Sequence, residues 1–339
     1  MEKVGLFKIF LPSFKNLDKV YTVFMLIHAN RIKQEMRRLF KTEDTRFIIF
    51  TGIKVTAISV IVNLIVYGFL FQVMRLNHAF FKANGFSDII DESVFYDYLL
   101  TEVLENLTLF FVFHVILFFI GTYVGWLILR PFKNIGDYCE QVIENPNTIY
   151  KVDEYSTYKL LTRFSEFFFE FLRESRKKGE LGTNSIPPQY AKIHQPVPDR
   201  IFMLHFGLLL VIIALSTSVF MIQNTSLIFH NMVELAQKTL ANPKISNRFF
   251  NHQMFIIDDT VALSIALIAI FYIALGFHLY EKVSGAAFGL FSTMRSFMKG
   301  NRFSRVHLVG YAYIRDYTRK FNKYLDFMQN NFDKDKTKG

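Results

Sequence analysis

The sequence predicts an all-α membrane protein: four transmembrane helices in two hairpins, each hairpin followed by a pair of shorter amphipathic helices. Three observations carry this reading. Four apolar runs, at 47–74, 102–130, 201–223 and 260–280, reach or exceed the roughly 20 helical residues that a bilayer requires. Hydrophobic residues make up 51% of the chain, and 40 of its 339 residues are phenylalanine, a load that suits lipid-facing surface better than a soluble core. Lysine and arginine give a net charge of +10, and they gather in 1–46, 130–200 and 281–339 while thinning out in 75–101 and 224–259. The positive-inside rule then puts both termini and both amphipathic segments on the cytoplasmic side. Because the basic residues border apolar runs, they point to membrane rather than to nucleic acid.

The N-terminal region, 1–46, is basic and holds a short apolar run at Val20–Ile27. That run begins too late, after Pro12 and Asp18, for a signal peptide, and it is too short to span. It reads either as an interfacial helix setting Arg31, Lys33, Arg37 and Arg38 against anionic headgroups or as a solvated charged helix. Within the first membrane helix lies Lys54, close enough to the basic end for its stem to snorkel. A short acidic outer loop, 75–101, leads to the second membrane helix. There His114 lies deep with no acidic partner in view, which predicts a hydrogen bond to a neighbouring helix. Gly121 and Gly125 form a GxxxG spacing that lets two backbones approach.

Arg130-Pro131-Phe132 marks the cytoplasmic edge, with proline expected in the first turn of a new helix. Phe132, Ile135, Cys139 and Val142 follow at alternating three- and four-residue steps, and so, after Asn145-Pro146-Asn147, do Leu161, Phe164, Phe168 and Phe171. Such spacing makes a narrow seam for packing against other helices. Cys139 is the single cysteine, so no internal disulfide and no cysteine-based metal site is possible. Residues 176–200, with Pro187, Pro188, Pro196 and Pro198, read as an extended linker able to reach up to roughly 80 Å back to the membrane. The second hairpin, 201–280, has a short outer loop at 224–259 and places His205 and His278 near its basic-side ends. Beyond it, Ala287, Leu290, Met294 and Phe297 form a third seam. Lys299-Gly300-Asn301 breaks that helix, and Ile314, Tyr317, Phe321, Tyr324 and Met328 form a fourth seam before a charged tail at 329–339.

Segment 281–328, with its SGAA opening, its KGNRFSRVHL connector and Lys320-Phe321-Asn322, resembles a HAMP domain, the helix–connector–helix relay of bacterial membrane receptors. Segment 131–175 resembles one as well, through Arg130-Pro131 at its opening and Asp153-Glu154 before its second helix. Each copy keeps features that the other lacks. The resemblance implies a parallel four-helix bundle. Family members assemble it by dimerising, whereas here one chain supplies two helix pairs, which makes either a monomeric pseudo-dimer or a homodimer. The relay seam would be Phe132, Ile135, Cys139, Leu161, Phe164, Phe168, Phe171, Leu290, Met294, Phe297, Ile314, Tyr317, Phe321 and Tyr324.

No phosphate-cradling glycine loop, HExxH, GxSxG or cysteine pair occurs, which argues against an enzyme and leaves no cofactor or metal to expect. After residue 328 only the charged tail remains, so no output domain is expected there. The reading is a non-enzymatic signalling or regulatory protein of a bacterial inner membrane, whose bundle passes a change in the membrane helices to a separate protein. Two alternatives stay open. One is a scaffold subunit of a membrane complex. The other is a two-repeat transporter or channel, which would want polar groups at midplane and broken helices; His114 and Asn63 offer the former, and no proline interrupts the four runs.

Overall fold

The computed structural model describes residues 42–83, 92–153, 158–183, 185–196, 199–239 and 243–336. All regular structure among them is helical: α1 (Glu43–Ala83), α2 (Glu92–Glu144), α3 (Lys159–Lys178), α4 (Pro188–Ala191), α5 (Arg200–Thr239), α6 (Pro243–Met298), a 3-10 turn (Ala312–Ile314) and α7 (Arg315–Lys336). The basic N-terminal run expected to form an interfacial helix lies outside the described residues.

Four helices, α1, α2, α5 and α6, are long and apolar enough to cross a membrane. In their most apolar stretches only 33, 22, 39 and 28% of residues are buried, so most of that apolar surface faces outward. Water would penalise such a surface and lipid does not. The chain is thus a multi-pass membrane protein. α1 packs along α2, α5 packs along α6, and α1 also touches α5 and α6.

Local chemistry fixes the helix ends. Glu43 and Asp44 sit in the first turn of α1 and Lys82 in its last, as the helix dipole favours. Asp199 caps α5 by accepting from the backbone N–H of Ile201 and Phe202 at 3.0 and 3.2 Å. Gly179, in the left-handed region at φ 71°, closes α3 after Arg176, Lys177 and Lys178. At the end of α6, Gly300 (φ 99°) and Asn301 turn their N–H groups back to the carbonyls of Phe297 and Ser296.

Three expectations are corrected. Pro131 does not open a new helix; it lies inside α2, which runs unbroken for 53 residues. Its ring removes one hydrogen bond, but Ile128, Leu129 and Phe132 around it are buried, and their packing holds the helix through. The same continuity joins the apolar membrane part of α6 to the part that lies beyond it. Second, most of the expected outer loops, 75–101 and 224–259, is helix. α1 and α6 extend outward because Asn77 and Gln253 exchange amide hydrogen bonds, and Ile228, Phe229 and Phe250 are buried beside them in the extended region. Third, the proline-rich linker is not free. Arg302 donates to the Leu181 carbonyl at 2.8 Å, Arg295 donates to the Ile193 carbonyl, and the Tyr190 ring packs 5.0 Å from Phe164.

Candidate functional site

The non-membrane ends of α2 and α6 meet α3 and α7 in one core built from the four seams. Phe132, Ile135, Cys139, Leu161, Phe164, Phe168, Leu290, Met294, Phe297, Ile314, Phe321 and Tyr324 are at most 2% exposed, and Phe171 and Tyr317 reach only 8%. Phe168 sits at the centre, with its ring 6.2 Å from Phe297 on α6 and 5.9 Å from Phe321 on α7. Phe164 meets Phe291 at 4.5 Å, and Ser165 Oγ lies 3.8 Å from Met294 Sδ. On the other side, Tyr324 lies 5.7 Å from Phe169 and 6.4 Å from Tyr138. The partners advance in the same order along each pair: 164, 165 and 168 with 291, 294 and 297, and 136 and 138 with 317 and 324.

Polar latches ring this core. Where α2 leaves the membrane, Arg130 holds Asp153 of the following connector through two nitrogens, at 2.5 and 2.8 Å, and Asn134 donates to the same carboxylate at 2.9 Å. Lys320 of α7 reaches Glu140 at 2.6 Å and Asp137 at 3.2 Å on α2. The Glu140 carboxylate is the main cause that raises the Lys320 ammonium above the usual lysine range. Asn322 accepts from the Val306 N–H at 2.9 Å and donates to the Val306 carbonyl at 3.0 Å, clasping the second connector to α7. Arg305 adds Asp326 at 2.6 Å and Gln329 at 2.8 Å.

Two contacts tie α7 and its lead-in to the start of α1. Tyr317 donates to Asp44 at 2.7 Å, and Tyr313 stacks on Phe47 with 4.4 Å between centroids. Burial, reinforced by the Asp44 carboxylate, pushes the Tyr317 phenol well up. Tyr313 also donates to the Lys282 carbonyl at 3.0 Å.

In the membrane part, Gly121 and Gly125 face α1. A Cβ on Gly121 would lie 2.9 Å from Gly52 Cα, and one on Gly125 would lie 2.9 Å from Ile48 Cα. His114 is held on both ring nitrogens. The Phe110 carbonyl, 2.7 Å from Nδ1, can only accept, so in the neutral ring the Ser59 hydroxyl donates to Nε2 across the α1–α2 interface at 3.0 Å. Lys54 Nζ lies 3.4 Å from His278 Nε2 on α6.

Sequence reasoning passed over Gly52, Tyr272, Asn77 and Gln253. Tyr272 donates from α6 to the Val55 carbonyl of α1 at 3.0 Å. It also missed that Thr51, Ser59 and Asn63 share one buried face of α1; their spacing of eight and four residues in an otherwise apolar run was the available signal. Among the described residues no group of three or more His, Cys, Asp or Glu is placed to hold a metal ion.

Compared with protein-family models, with curated proteins and with solved structures, the chain matches none.

Proposed function

We propose that this chain is a non-enzymatic signalling or regulatory protein of a bacterial inner membrane, with both termini cytoplasmic. Residues 131–175 and 281–328 act as two HAMP-like halves of one parallel four-helix bundle inside a single chain. The observation that carries this is continuity: α2 and α6 each run unbroken from an apolar, outward-facing stretch into the shared aromatic core. A shift or rotation of either helix in the membrane therefore changes packing at Phe132, Met294 and Phe297 without an intervening hinge. A close-packed core responds by switching between discrete packings rather than by stretching. Output then passes to a separate protein that reads the exposed faces of α3 and α7.

Paired cysteines test both parts of this reading. In a Cys139→Ser background, Ser165→Cys with Met294→Cys should form a disulfide that leaves the chain monomeric on a non-reducing gel. Dimers instead would mean that the bundle is assembled between chains. Adding Gly121→Leu, which wedges α1 from α2 inside the membrane, should change the cross-linking rate severalfold if the bundle reports on the membrane helices. An unchanged rate would leave the bundle standing and remove the relay.

A further inference from the structure

A groove of about 400 Å³ runs along the outer side of the α5–α6 pair, from Met203 and Phe277 near the basic-side end to Ser218 and Ile265 deeper in. Its floor is shaped by small residues, Gly207, Ala214, Ala269 and Gly276. Its two hydroxyls are already spent on backbone carbonyls: Ser218 donates to Ala214 at 2.9 Å and Tyr272 to Val55 at 3.0 Å. The wall is therefore apolar in practice, and it lies inside two candidate membrane spans, open to lipid.

We propose that this groove holds one acyl chain of an anionic phospholipid in the leaflet nearest the seam bundle, with its phosphate on Arg200. Three observations select that occupant. The first is length. From Met203 to Ser218 the groove follows about 22 Å of helix axis, more than half of the roughly 30 Å hydrocarbon layer, so one tail entering from the basic side is covered along its whole path. The second is cross-section. A packed helix from a second copy is about 10 Å across and could lay only side chains into a groove of about 400 Å³, whereas a single tail lies within it lengthwise. The third is charge. Arg200 stands seven residues before Gly207 and eleven before Val211, on the same stripe of α5 and one turn below Met203, at the groove's mouth. It is exposed and makes no hydrogen bond or ion pair among the described residues. The neighbouring Asp199 is buried and turned inward onto the first N–H groups of α5. A headgroup phosphate gives Arg200 the charged partner that its position calls for.

Native mass spectrometry of the full chain, in detergent with phosphatidylglycerol or phosphatidylcholine of matched tails, tests this. The wild type should retain one phosphatidylglycerol per chain in preference to phosphatidylcholine. Gly207→Leu puts a side chain into the groove, starting from a Cβ that meets nothing within 4 Å. It should reduce the adduct at least about tenfold by excluding several methylenes. Ala269→Leu is a second plug from the facing helix. Arg200→Gln should keep the tail site but cut the preference for the anionic lipid about fivefold, the worth of one basic contact. An adduct undiminished by both plugs overturns the site. Unchanged headgroup preference in Arg200→Gln overturns the phosphate contact. Plugs that turn a dimer into a monomer would assign the groove to a second copy. None of these outcomes depends on the relay reading, which stands or falls on the cross-linking rate.

Discussion

Single side chains in this molecule do tasks that their residue type alone does not announce. Asn322 is one: its amide satisfies both backbone groups of Val306 and so fixes the second connector against α7. Asn322→Leu keeps the size but leaves a half-buried N–H and carbonyl unpaired, at about 2 kcal/mol. Cys139 reports on it, being fully buried and the only thiol in the chain. Alkylation by iodoacetamide should be about 30-fold faster in Asn322→Leu than in the parent at neutral pH, because it waits on local opening of the core. Equal rates would mean that the clasp does not hold the core closed. Asp153 is a second case. It stands out in the sequence as part of an acidic pair before a helix, while its bond to Arg130, 23 residues earlier, emerges only once α2 and the connector fold back on each other.

The buried faces of the elements were legible and their extents were not. Heptad spacing picks out Phe164, Phe168, Phe297 and Phe321 because burial of one helical face leaves a period in the sequence, and all four are at most 1% exposed. Pro131 misleads because propensity is local, whereas the packing that carries α2 through it is tertiary. The linker misleads for another reason: guanidinium contacts to the Leu181 and Ile193 carbonyls use backbone acceptors, which every residue has and no composition reveals. Glycines show both sides. Gly121 and Gly125 stand out by spacing, but Gly52, against which Gly121 closes, has no such pattern. Here a contrast between two helix positions is testable. In Gly125→Ala the new methyl would sit 2.9 Å from Ile48 Cα and 3.2 Å from Ile48 O, so the backbones must part, at about 1–3 kcal/mol. In Gly68→Ala nothing lies within 4 Å of the methyl, and lower unfolded-chain entropy should stabilise by roughly 0.4–1 kcal/mol. Thermal melts in detergent should move in opposite directions, downward for Gly125→Ala and upward for Gly68→Ala. An upward shift in Gly125→Ala as well would show that α1 and α2 do not meet at Gly125.

At the scale of the whole molecule, tyrosine rings help to close the seam core, and this gives that core a defined alkaline limit. Tyr150, Tyr158, Tyr313, Tyr317 and Tyr324 come from the first connector, the 3-10 turn and α7, and burial raises every one of their phenols above the ordinary value of 10.0. A phenol raised in the folded state binds its proton more tightly there than in the unfolded chain. The stability it contributes is therefore complete below pH 10 and is lost as pH climbs from there toward the folded value. Lys320, raised by Glu140 and Asp137, works in the same direction, but its ammonium is largely solvated and adds little. Tyr158, Tyr317 and Tyr324 are buried, Tyr150 and Tyr313 are partly buried against the same core, and ionising the enclosed hydroxyls admits water to it. Tyrosinate absorbance should therefore rise in a cooperative step above pH 10, and alkylation of Cys139 should begin at that same step, since the thiol is sealed by the same core. Tyr324→Phe, which removes the most deeply enclosed of these hydroxyls, should move the step to higher pH. A gradual titration centred on pH 10, with Cys139 still protected beyond it, would show that these rings lie in water and do not seal the core around the thiol.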